Sequence, residues 1–198
     1  MTSSWTTVAV TGHRRLPAGA AQQWLNASIS RCLSRMRDEF GVEKAYSGLA
    51  VGADHLFADE VLRLGMPLYG AAPFPGQPTD RFGPQWSRAQ RDHWEYLVGQ
   101  CQRVDYVSPV DPNTRGERLR MLHARNDHLL GVCDVLLAIW APGNLRSGTA
   151  SCIRKAVGTG KPVVLINVAT RSSTRPRMHH WARMLPGLTI AGGSDGVQ

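Results

Sequence analysis

The chain has 198 residues, 42% of them hydrophobic, enough to bury a full core in one domain. Its formal net charge of +8 favours an anionic partner, nucleotide or nucleic acid, unless the arginines serve only to keep the protein soluble. No run of about eighteen apolar residues occurs, and the opening MTSSWTTVAV lacks the basic start and apolar stretch of a secretory signal, so a soluble cytoplasmic protein with no membrane segment is expected.

Taken in chain order, Thr7 to Thr11 (TVAVT) reads as a buried first strand ending at Gly12. From Ala20 to Phe40, Leu25, Ile29, Cys32, Met36 and Phe40 recur at helical spacing, and Gly41 closes that helix. Lys44 to Leu49 predicts a second strand running into the glycine-rich turn SGLAVGAD, then a helix from Asp54 to Leu64 stopped by Gly65. Pro67 to Phe74 reads as a third strand. A proline-rich stretch to Pro84 follows, then a polar helix with Trp86, Trp94 and Leu97. Val104 to Ser108 is a fourth strand, Arg115 to Cys133 a helix, and Asp134 to Trp140 (DVLLAIW) a strand with the continuous apolar run of a parallel core. After the loop APGNLRSG come a helix from Thr149 to Val157 and a last strand from Val163 to Val168.

This alternation predicts an α/β fold: a Rossmann-like, doubly wound, mainly parallel sheet of about six strands with helices on both faces, spanning residues 1–168. Residues 169–198, with Arg171, Arg175, Arg177 and Arg183 among Pro, Ser and Gly, read as an appended basic arm.

In open sheets of this kind the ligand crevice lies outside the carboxyl ends of the strands. Three segments should meet there: Gly12 to Arg15, Ser47 to Asp54, and Ala141 to Thr149. Gly48 and Gly52 allow close approach of backbone to a ligand, and the helix start at Asp54 suits an anion. RSGTAS offers the same physics, with Arg146 for charge, Gly148 for access, and the Ser147 and Thr149 hydroxyls for capping or phosphate bonding. Asn126 interrupts the stripe Leu119, Leu122, Leu129, Cys133 and either braces a loop or bonds a ligand; Arg125 beside it either contacts phosphate or sits in solvent. His13 and Arg14 stand at the end of the first strand.

GHRRLP has one glycine where the dinucleotide fingerprint needs three, and GTGKP lacks the Ser/Thr of a P-loop, so neither an NAD-dependent dehydrogenase nor an ATPase is indicated. The four cysteines form no CxxC pair, and His123, His128, His179 and His180 lack metal-site spacing, so no metal and no cofactor are expected. Cys152 stands near a helix start, where a lowered thiol pKa competes with the alternative of a buried core cysteine.

Three runs in order, SGLAVGADHLFAD, ARNDHLLGVCDVLLAIW and SGTASCIRKAVGTGKPVVLI, resemble the Rossmann-like core shared by the DNA-processing protein A family and the Lonely Guy phosphoribohydrolases, together the SLOG superfamily. The resemblance covers roughly residues 5–168. It implies ligand binding by Gly12, His13, Arg14, Ser47, Gly48, Gly52, Asp54, Arg125, Asn126, Gly148 and Thr149, and a homodimer or higher homo-oligomer, for which Trp86 and Trp94 offer a partner surface unless they cover the sheet. It also implies three kinds of partner or activity: binding of a nucleotide or nucleotide-derived small molecule, hydrolysis of a nucleoside monophosphate, and single-stranded DNA binding. The phosphoribohydrolases carry PGGxGTxxE; here the run is NLRSGTASC, with Cys152 where their glutamate stands. A carboxylate would then have to come from Asp54, Glu95 or Asp127.

Overall fold

The computed structural model describes residues 4–143 and 145–185. Seven strands form one sheet in the order β4-β3-β2-β1-β5-β6-β7. They are β1 (Thr7–Gly12), β2 (Lys44–Ser47), β3 (Leu68–Ala72), β4 (Arg103–Tyr106), β5 (Val135–Trp140), β6 (Val163–Asn167) and β7 (Ser172–Thr174). Strands β1 to β6 run parallel, and β7 pairs antiparallel with β6. The helices are α1 (Ala20–Phe40), α2 (Ala53–Arg63), α3 (Arg88–Gln100), α4 (Arg115–Val132), α5 (Gly148–Gly158) and α6 (Met178–Met184). This is the Rossmann-like, doubly wound α/β architecture expected from the alternating pattern.

Each face of the sheet buries its own apolar layer. Leu25, Ile29, Leu33 and Met36 of α1 pack with Phe57 and Val61 of α2 and Trp94 and Leu97 of α3 on one side. On the other, Leu129 of α4, Ile153 and Ala156 of α5 and Trp181 of α6 cover Ala9, Leu136, Ala138 and Trp140. Strand β5 is buried at all six positions, which is why its sequence is apolar without alternation. Helix α1 ends where Gly41 adopts φ 81°, a left-handed cap that a side chain would resist.

The sheet has seven strands where the alternating pattern suggested about six, and the segment read as an appended arm meets the rest of the fold as far as it is described. Ser172–Thr174 extends the sheet, Arg175 lies over the Trp5 ring at 5.1 Å, and Trp181 and Leu185 are buried against the α4–α5 layer. A three-residue strand and two apolar anchors in an arginine-rich stretch are too short to register as a periodic pattern. The remainder of that arm, 186–198, lies outside the described residues. Trp86 and Trp94 are buried, so they cover the core rather than offer a partner surface. Among the described residues no helix is long and apolar enough to cross a membrane.

Candidate functional site

The strand order reverses between β1 and β5, because β2 to β4 lie on one side of β1 and β6 to β7 beyond β5. At the carboxyl ends of these two strands lies a cavity of about 700 Å3, within the usual size range of a small-ligand site. It is lined by the β1 end, the turn before α2, the exposed face of α4 and the first turn of α5.

His13 ties these segments together. Its main-chain N–H donates to Ile139 at 3.2 Å, and its carbonyl accepts from Ala53 N–H at 3.0 Å. Its Nε2 accepts from the Ala141 N–H at 2.9 Å. Burial pushes the imidazole pKa down, which keeps the neutral form that this acceptor role requires. His13 therefore joins the ends of β1 and β5 to the start of α2.

Three of the expected glycines serve protein packing. A Cβ at Gly12 would stand 2.3 Å from Ala53 Cβ, and one at Gly52, where φ is 101°, 2.5 Å from the His13 and Arg14 carbonyl oxygens. At Gly48 it would fall 1.5 Å from Arg125 Nη1. Gly48 and Gly52 do not line the cavity, and nor does Ser47. The buried Ser47 hydroxyl donates to the Asp54 carbonyl at 2.9 Å and accepts from Leu49 N–H at 3.1 Å, holding the turn together. Gly148 differs: it lines the cavity, and a Cβ there would meet nothing within 4 Å.

The start of α2, expected to receive a phosphate, holds a carboxylate of the protein. Asp54 Oδ2 pairs with Arg125 Nη1 at 3.1 Å and accepts from the Ala50 N–H at 3.3 Å. Burial pushes the Asp54 pKa up; the Arg125 guanidinium, the Ala50 N–H and Arg14 oppose that. Arg125 is thus neither in solvent nor free for phosphate alone: it is 9% exposed and spends one guanidinium nitrogen on Asp54, while its Nε has no partner among the described residues.

The start of α5 faces the cavity through Ser147, Gly148, Thr149 and Ser151. Ser147 caps the helix, accepting from Ala150 N–H at 3.1 Å. The start of a helix dipole with small side chains around it suits an anion.

On α4 the expected core stripe divides. Leu129 and Cys133 are buried, whereas Leu119 is 53% exposed, and it lines the cavity with Leu122 and Asn126. Sequence periodicity identified the stripe but not what it faces. Arg118 and Arg154 also line the cavity and were missed. The signal was present: Arg118, Leu122 and Arg125 recur at steps of four and three on α4, as do Ser147, Ser151 and Arg154 at the start of α5. Arg118 pairs with Asp80 and thereby ties the 73–87 loop to α4.

Among the described residues five arginines line this space, Arg14, Arg118, Arg125, Arg146 and Arg154, against one carboxylate, Asp54. Among the remaining acidic candidates, Glu95 is exposed on α3, and Asp127 is exposed and paired with Lys155; neither lines the cavity. Cys152 is buried, and burial pushes its pKa to about 11, so it is a neutral core thiol and not a surrogate carboxylate.

No family model matches the sequence, and no curated protein matches it at a significant level. Among solved structures, DNA processing protein A of Streptococcus pneumoniae superposes with a TM-score of 0.55 at 20% identity, over 81% of this chain and 50% of that one. DNA processing protein A of Helicobacter pylori, described for its single-stranded DNA binding mode, gives 0.53 at 21% identity, over 81% and 64%. The chain spans between half and about two thirds of the length of these proteins, and the likeness is one of fold.

Proposed function

We propose that the chain binds a nucleotide or nucleotide-derived anion in the strand-end cavity. The observation that carries this reading is the convergence of five arginines and the α5 start on a cavity whose only lining carboxylate among the described residues is engaged by Arg125. Arg125 is paired with Asp54 and Arg118 with Asp80, and Arg14, Arg146 and Arg154 leave an excess of positive charge for a phosphate. Leu119, Leu122 and Pro84 add an apolar wall suited to a base or sugar. Binding without cleavage fits better than phosphoribohydrolysis. Glycosidic hydrolysis uses two carboxylates flanking the bond, and the described lining supplies one, already bonded.

The test is calorimetric titration with nucleoside mono-, di- and triphosphates, NAD and ADP-ribose, with free base followed in parallel. A saturable response to one of them with no base released supports the reading. Release of base restores the hydrolase, and no response to any sinks the proposal.

Single-stranded DNA binding is the second reading, favoured by the fold shared with the Helicobacter pylori protein and by the net charge of +8. An oligonucleotide that binds with an affinity falling steeply with salt, while mononucleotides fail to compete, would establish it.

A further inference from the structure

Beside the cavity lies a smaller space of about 10 Å3, walled by Gln77, Phe74, Trp86 and Asp80, and sharing Arg14, Pro84, Arg118 and Leu122 with the cavity. Gln77 sits in a short turn of 3-10 helix, Gln77–Thr79, and is 4% exposed. Its amide is oriented by the Gly48 carbonyl, which accepts from Nε2 at 3.4 Å. Oε1 is buried and has no hydrogen-bond partner among the described residues. A buried amide oxygen calls for a donor, and a space of this volume admits one group the size of an amine or a water. The nearby acidic acceptor, Asp80, is already engaged by Arg118 and by the Phe82 N–H at 3.0 Å. Gln77 Oε1 is therefore an acceptor without a donor among the described residues, beside the cavity that the α5 start lines.

Resting on the nucleotide reading above, we propose that Gln77 selects the nucleobase, its Oε1 accepting a hydrogen bond from an exocyclic amino group while the base lies against Pro84 and Leu122. An oxo group in the same position would set two carbonyl oxygens against each other and leave both without a donor. The site thus takes amino-bearing bases in preference to their oxo counterparts.

The pairs AMP with IMP and CMP with UMP differ at one exocyclic group each, so titrating all four against the full chain isolates that contact. At least one amino member is expected to bind about tenfold or more tightly than its oxo partner, the size of one buried hydrogen bond left unmade. In Gln77→Leu that ratio should fall to near one. Equal affinities within both pairs of the unmutated chain would overturn the inference while leaving the nucleotide reading intact, and would mark Oε1 as bonded to water alone. A ratio that persists in Gln77→Leu would also overturn it. Absence of binding by all four would overturn it together with the reading on which it rests.

Discussion

At the scale of single residues, the glycines of the site divide by what their missing side chains make room for. Gly48 yields its space to the Arg125 guanidinium, at 1.5 Å from where a Cβ would stand, and Gly148 opens onto the cavity with nothing within 4 Å. Gly48→Ala should therefore act on folding, and a bulky replacement of Gly148 on binding. Displacing Arg125 from Asp54 exposes a buried pair to the cost of an uncompensated charge, about 3–5 kcal/mol. Thermal melts should show a drop of several degrees or more for Gly48→Ala. Gly148→Val should melt within a few degrees of the parent chain and lose nucleotide affinity in the calorimeter. The reverse pattern would mean that the cavity lies elsewhere. Asp54→Asn supplies the matching test of the pair, because it removes the charge that offsets Arg125 and keeps the shape. A loss of stability of about 3 kcal/mol or more by denaturant titration is expected, and a neutral result would show that Asp54 does not balance a buried cation.

At the scale of elements, the sequence revealed most where one physical demand acts along a whole segment. DVLLAIW could only be a strand buried on both faces, and the period of Leu25, Ile29 and Met36 with Gly41 after it located α1. The strand-end segments lie together at the cavity, but the sequence left open whether each glycine's missing Cβ admits a ligand, as at Gly148, or a neighbouring part of the protein, as at Gly48 and Gly52. The 73–87 loop was illegible for a different reason. Its position is set by contacts distant in sequence, Asp80 with Arg118 and the Gly76 N–H with Asp111 at 2.7 Å, rather than by local propensity. That loop carries Gln77 and part of the cavity wall in Pro84, so the Asp80–Arg118 tie positions both. Asp80→Ala should loosen it, and Arg81, exposed within the loop, reports the change. Faster cleavage after Arg81 under limiting trypsin, with α1 and the other helices still protected, is the expected result. An unaltered cleavage rate would assign the loop's position to its apolar residues Phe74 and Trp86 alone.

At the scale of the whole molecule, the turn beneath the cavity links stability to pH. Leu49 adopts φ 53°, an uncommon conformation for a branched residue, with its side chain fully buried and its carbonyl bonded to His55 Nε2 at 3.2 Å. Burial, with His93 close by, pushes the His55 pKa from 6.5 to about 4. Between these values the unfolded chain takes up a proton that the folded protein refuses, so the unfolded state binds more protons and stability rises with pH. The contribution is fully present above pH 6.5 and is lost as the pH falls to about 4; at about 1.4 kcal/mol per unit it amounts to about 3 kcal/mol. His13, lowered by burial as well, acts with the same sign. Denaturant titrations at pH 7 and pH 4.5 should therefore show a marked loss of stability on acidification. In His55→Gln, whose amide can still donate to Leu49, that loss should shrink by more than half while the stability at pH 7 changes little by comparison. If the parent chain and the variant lose the same amount, the acid sensitivity belongs to other groups. If the parent chain is insensitive over this range, His55 accepts its proton in the folded state, and the turn it supports is more open to water than its burial indicates.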